Sequence, residues 1–157
     1  MIKEHQSLPD AKLSELTDNG MLEHSTHELF SGKKALVFAL PGAFTPTCSA
    51  AHLPGYVTLA DQFFEKGIDF IACVSVNDAF VMKAWGDSQN AEHIKMLADG
   101  DGSFTKALGL DMDTGSFGGV RSQRYAMIVD NGVVTALNVE APKAFEVSSA
   151  EAMFNLL

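Results

Sequence analysis

The chain has 157 residues, which suits one domain with a single core, residues 1–157. It carries 11 Lys and Arg against 20 Asp and Glu, a formal net charge of −9, which argues against a nucleic-acid binder and against a protein docked on an anionic membrane. Two cysteines, Cys48 and Cys73, are too few for a disulfide scaffold, and neither sits in a C-x-x-C pair or a zinc-type Cys/His spacing, so no metal or cofactor site is expected.

The opening Met1-Ile-Lys-Glu-His-Gln6 lacks the apolar stretch of a signal peptide, and the run Ala35 to Leu40 is too short to span a bilayer. A cytoplasmic protein without a membrane partner is the expectation. Residues 11–16 and 20–26 read as short strands around the turn Asp18-Asn19-Gly20. Lys34 to Leu40 is a continuous apolar run, the mark of a buried strand, ended by Pro41-Gly42. From Thr47 to Lys66 the apolar residues Leu53, Val57, Ala60 and Phe64 fall at helical spacing. Pro54 lies inside that helix, removing one hydrogen bond and bending it, and Gly67 closes it. Ile68 to Val76 is a second buried strand, which completes a βαβ unit with parallel strands.

Further on, 78–85 reads as a short helix capped by Asn77 or Asp78. Segments 91–98 and 104–108 read as two more helices. Arg124 to Val129 and Val133 to Val139 flank Asp130-Asn131-Gly132, the signal of a type I′ hairpin. A last helix begins near Ser148, with Glu151 completing a capping box. This order of elements fits a thioredoxin-like α/β fold with a mixed central sheet flanked by helices, although order alone admits other α/β folds.

Cys48 falls just after a buried strand, in the first turn of a helix, where unpaired N–H groups and the positive end of the helix dipole favour a thiolate. Pro41, Gly42 and Pro46 stiffen the loop that carries it. Cys73, mid-strand in an apolar run, reads as core. His52 lies one helical turn beyond Cys48, which leaves open a Cys/His hydrolase dyad, with a structural hydrogen bond as the alternative. Thr45 fits a helix cap, and Arg121 and Arg124 fit surface ion pairs. His24 and His27 have no third ligand and read as surface residues. Asp99-Gly-Asp-Gly-Ser103 hints at a calcium loop, but the twelfth position holds Leu110 instead of Glu.

Pro41-Gly-Ala-Phe-Thr45-Pro-Thr-Cys48 matches the peroxiredoxin pattern Pro-x-x-x-Thr-x-x-Cys, and His52-Leu-Pro-Gly55, Val74-Ser-Val-Asn-Asp78, Arg124-Tyr-Ala-Met127 and Ala136-Leu-Asn-Val-Glu140 follow in order. Together these resemble the type-5 branch of that family over roughly residues 3–157. The resemblance implies a thiol peroxidase acting on hydrogen peroxide and small alkyl hydroperoxides. It makes Cys48 the nucleophile, oxidised to a sulfenic acid, with the Thr45 hydroxyl, the Arg124 guanidinium and the Cys48 N–H as transition-state donors and Pro41 as the shield of the pocket. Some relatives carry a resolving cysteine in the C-terminal region. Here 139–157 has none, so a one-cysteine cycle is expected, recycled by glutathione with glutaredoxin or by thioredoxin. The resemblance also implies a homodimer across the active-site face, which Gly115 to Gly119 with Phe117 could line. The rival readings are a hydrolase or acyl transferase built on Cys48 and His52, and a non-catalytic redox sensor or holdase.

Overall fold

Strand β3 (Lys34–Ala39) is buried on both faces and lies in the interior of the central sheet. In the computed structural model, which describes residues 1–157, its residues alternate between two cores. Leu36 and Phe38 join one, and Ala35, Val37 and Ala39 the other. The first core also takes Leu53, Tyr56 and Phe63 of helix α2 (Leu53–Glu65), Met82 and Trp85 of α3 (Ala79–Ser88), and Met153 of α5 (Ala150–Phe154). The second takes Leu29 and Phe30 of α1 (Thr26–Phe30) and Phe104 and Leu108 of α4 (Ser103–Leu108).

The seven-stranded sheet has the order β2-β1-β5-β4-β3-β8-β9. β3 runs parallel to β4 (Phe70–Ser75), which runs parallel to β5 (Ile94–Ala98). On the other side β3 is antiparallel to β8 (Tyr125–Asp130), and β8 to β9 (Val133–Val139). The hairpin of β1 (Lys12–Thr17) and β2 (Gly20–Ser25) joins β5 through the single pair Ser14↔Ala98. β6 (Asp111–Asp113) and β7 (Val120–Ser122) form a separate ribbon. This mixed sheet with helices on both faces is the thioredoxin-like arrangement expected from the sequence. No helix is long and apolar enough to cross a membrane.

Several boundaries differ from expectation. Segment 91–98 is not a helix: Ala, Glu, Lys, Met and Leu favour helix locally, but pairing with β4 from Ile71↔Ile94 to Ser75↔Ala98 wins. Ile94, Met96 and Ala98 face one core and Leu97 the other, which is strand alternation. The helix expected from Thr47 runs without a break over residues 46–65, but a π-helical turn, Cys48–His52, is set into it before α2, and Pro54 lies inside it as expected. The cap of α5 is Ser149, whose hydroxyl accepts from the Ala152 N–H. Ser148 and Glu151 form no capping box, because Ser148 is engaged elsewhere. Asp78 caps α3, and the hairpin turn has Asn131 at φ 49° and Gly132 at φ 80°, as type I′ requires. His24 is no free surface residue: its Nε2 lies 2.9 Å from Glu15 Oε1.

Helix α3 packs closely on β5 at Gly86, where a Cβ would stand 2.7 Å from Met96 Cγ. Gly86→Ala is therefore expected to lower the unfolding free energy by about 1 kcal/mol net, overpacking outweighing the gain in helix propensity. The check is the urea midpoint; an unchanged or raised midpoint contradicts the packing argument.

Candidate active site

Cys48 follows the carboxyl end of β3 after a loop held by two anchors. The Ala43 N–H donates to Asn77 Oδ1 at 3.0 Å, and the same oxygen accepts from the Ser75 hydroxyl at 2.6 Å. The Thr45 hydroxyl donates to the Gly42 carbonyl at 2.7 Å, and the Thr45 carbonyl accepts from the Ser49 N–H at 2.9 Å. Phe44 takes a left-handed φ of 63°, and its ring lies 6.4 Å from that of Trp85. The Trp85 indole N–H donates to Ser49 Oγ at 3.0 Å, so α3 clamps the segment on both sides of the cysteine.

The chain turns from this loop into α2 through the π-helical turn. The Leu53 N–H reaches back to the Cys48 carbonyl, one residue further than in an α-helix. Pro54 has no N–H to offer the preceding turn, which removes one competitor for the tighter pattern. Cys48 opens the turn, so its own N–H has no partner within it. The thiol itself is fully buried.

The guanidinium of Arg124 completes the site. Arg124 precedes β8, antiparallel to β3, which carries it beside the cysteine loop. Its Nη2 lies 3.1 Å from Cys48 Sγ, and its Nη1 lies 2.8 Å from His52 Nδ1. None of the chain's ion pairs involves Arg124. Arginine can only donate, so His52 Nδ1 must be the acceptor. His52 Nε2 then carries the hydrogen and donates to the Ser148 carbonyl, 3.0 Å away. Both contacts demand the same neutral tautomer. Burial first, and the neighbouring Arg124 second, push the His52 pKa down to about 3. The Phe145 ring covers this pair, 5.8 Å from the guanidinium and 5.1 Å from the imidazole.

Of the sequence candidates, Cys48 and Arg124 are brought into contact, and half-buried Pro41 joins Arg124 in lining a cavity of about 650 Å³. Thr47, Gln123, Pro142 and Lys143 also line it. The Thr45 side chain caps no helix, and its proton is committed to Gly42, so it is not the donor expected from the resemblance; its oxygen lone pairs remain available. Arg121 is set aside for the scaffold, donating from Nε to the Gly118 carbonyl at 3.0 Å and from Nη1 to the Val76 carbonyl at 2.9 Å. His52 bonds Arg124 and Ser148, so its one lone pair is already used and it cannot serve as the base of a Cys/His dyad. Cys73 is fully buried on β4, and burial, reinforced by Cys48, pushes its thiol up. The Asp99 carboxylate, in the loop with a calcium-like spacing, accepts from the N–H groups of Phe104 and Thr105 and from the Thr105 hydroxyl, holding the start of α4. Asn77, Trp85, Glu140 and Ser148 went unread as contributors to the site, since each acts through a contact made only in the fold.

The chain is similar to known proteins along nearly its whole length. The family described as Redoxin matches residues 3–154. Peroxiredoxin-2D of Arabidopsis thaliana is 48% identical over 153 residues, covering 96% of this chain and 94% of that protein. Reduced Prx3 of Vibrio vulnificus in complex with hydrogen peroxide superposes with a TM-score of 0.98 at 70% identity, covering 99% of both chains. Peroxiredoxin 5 from Alvinella pompejana gives a TM-score of 0.87 at 37% identity, covering 99% of this chain and 97% of that one.

The protonation state of His52 has a consequence for stability. The folded chain keeps it neutral down to about pH 3, whereas unfolding restores its ordinary value of 6.5. Between those limits the unfolded chain binds one proton more, so this site's contribution is present above pH 6.5 and is lost as the pH falls, by up to about 1.4 kcal/mol per unit. Urea unfolding from pH 7 to pH 4.5 should show a decline that is shallower in His52→Gln. Equal slopes in the two proteins would contradict a buried neutral imidazole.

Proposed function

The chain belongs to the peroxiredoxins, in their type-5 branch, and is a thiol peroxidase; within that activity we propose that Cys48 is the nucleophile and that Arg124, Thr45 and Pro41 form its pocket. The observation that carries this reading is the 3.1 Å contact from Arg124 Nη2 to Cys48 Sγ, made by a guanidinium with no carboxylate partner.

The Cys48 thiolate attacks one peroxide oxygen. An S–O bond forms as the O–O bond breaks, sulfur loses two electrons to the peroxide, and the second oxygen leaves as hydroxide or alkoxide and takes up a proton. Negative charge spreads over sulfur and both oxygens in the transition state, so fixed donors around them lower the barrier. Arg124 is charged at any working pH and stands where it can follow that charge from sulfur to the leaving oxygen. Thr45, its proton bound to Gly42, offers lone pairs to the O–H of the incoming peroxide. The first-turn N–H of Cys48 supplies one more donor. Hydrogen peroxide is supported as a substrate by the peroxide complex of the V. vulnificus relative. Ala141, Pro142 and Ala144, in the cavity beside Arg124, give alkyl hydroperoxides an apolar surface.

The sulfenic acid is cleared by an external thiol. Glutathione attacks sulfur, water leaves, and a second thiol, from glutaredoxin, releases Cys48 from the mixed disulfide; thioredoxin is the alternative donor. The burial of Cys73 supports this one-cysteine route. A homodimer is the proposed assembly, through the face bearing Phe44, Phe80 and Phe117, exposed by 56%, 66% and 84%. Arg121 ties the Phe117 ribbon to the segment before α3, and Phe44 leans on Trp85 of the same helix.

Stopped-flow oxidation of the reduced chain by hydrogen peroxide tests the assignment. Cys48→Ser should abolish peroxide consumption, and Arg124→Ala should slow it by roughly a hundredfold or more. Ester cleavage without peroxide consumption would favour a hydrolase, and one slow oxidation without turnover a sensor. Cys73→Ser should retain turnover with glutathione and glutaredoxin; its collapse would overturn the one-cysteine route. Sedimentation at micromolar concentration should give a dimer that Phe117→Glu dissociates, and monomer in the unaltered chain would contradict the assembly.

A further inference from the structure

The side chain of Glu140 is buried just beyond β9, and its backbone N–H donates to the Arg124 carbonyl at 2.9 Å. Its carboxylate makes no ion pair with the nearby guanidinium. Oε2 accepts from the N–H groups of Glu146 at 2.8 Å, Val147 at 3.0 Å and Ser148 at 2.8 Å, and from the Ser148 hydroxyl at 2.7 Å. Burial alone would push this carboxyl up, but the hydrogen bonds from Ser148, Glu146 and Val147 outweigh it and hold the group below the usual carboxylate range. A buried carboxylate taking four donors on one oxygen fixes the backbone that supplies them.

That backbone ends at the Ser148 carbonyl, which accepts from His52 Nε2 at 3.0 Å and from the Tyr56 hydroxyl at 2.8 Å. We propose that Glu140 is a positioning residue for Arg124, acting through the Ser148 carbonyl and the His52 imidazole. The carboxylate sets the direction of the carbonyl. The carbonyl requires the hydrogen on Nε2, and that tautomer leaves the Nδ1 lone pair to take one arm of Arg124. The other arm is thereby aimed at Cys48. With Oε2 taken by the 146–148 turn, Glu140 makes no ion pair with Arg124. The inference rests on the reading of Arg124 as the cation of the peroxidase step.

Glu140→Gln in the full chain is the test. The amide oxygen is uncharged and holds four donors less firmly, and its NH2 adds donors where none are needed. The rate constant with hydrogen peroxide should fall at least tenfold. Nitrogen-15 NMR of the imidazole should show a single Nε2–H tautomer in the unaltered chain and a mixture in the variant. In a His52→Phe background the same substitution should cost less than twofold, because the link it acts through is already gone. An unchanged rate and tautomer, or an equal loss in both backgrounds, overturns the proposal. If Glu140→Gln does not fold, Ser148→Ala removes one of the four donors while keeping the carbonyl. It should show a smaller loss in the same direction with the same dependence on His52, and an unaltered rate and tautomer would overturn the proposal as well. If Arg124→Ala kept full peroxidase activity, the functional reading would fail, while the tautomer would still report whether Glu140 governs His52.

Discussion

The arrangement of the site depends on one guanidinium divided between two neutral-or-anionic acceptors. Arg124 gives one arm to the Cys48 sulfur and the other to an imidazole that cannot take a proton under ordinary conditions. Had a carboxylate held the second arm, much of the charge facing the sulfur would have been compensated. A neutral histidine supplies the same directional hold without that compensation. The closed surroundings matter as much: unit charges about 4 Å apart attract by roughly 4 kcal/mol at an effective dielectric of about 20, against roughly 1 kcal/mol in water.

The rest of the scaffold can be understood as what keeps this geometry. Parallel β3 and β4 and antiparallel β8 set the cysteine loop and Arg124 at the same end of the sheet. The Ser75–Asn77–Ala43 contacts hold the loop from the β4 side, and Trp85 holds it from α3. Phe38, stacked on Tyr56 with ring centroids 4.0 Å apart, forms an apolar wall beside His52 and contributes to the burial that, with Arg124, denies the imidazole its proton.

Much of this was legible in the sequence where the signal was local. The apolar run of β3, the Asn131-Gly132 turn, the Asp78 cap and the Pro41–Cys48 loop each carry their own physics. The resemblance to the type-5 peroxiredoxins picked Arg124 over Arg121, and the structure brings Arg124 alone to the sulfur. What the sequence hid was non-local. Residues 94–98 have a helix-forming composition and become a strand only because β4 offers a partner. The π-helical turn is a matter of one hydrogen bond's reach. His52 looked like a partner for Cys48 because the two lie one turn apart, yet its partners come from Arg124 and Ser148, 72 and 96 residues away in the chain. Glu140 and Ser148 are unremarkable until the turn at 146–148 folds around the carboxylate.

That separation along the chain bears on biosynthesis. Cys48 leaves the ribosome long before Arg124, which follows 76 residues later, and the Ser148 carbonyl that orients His52 is made later still. Until β8 has docked, the nascent chain holds Cys48 without its guanidinium partner. The hydrogen bond that orients His52 therefore forms only after residue 148 has been made, and a polypeptide interrupted before that turn would carry the cysteine without it.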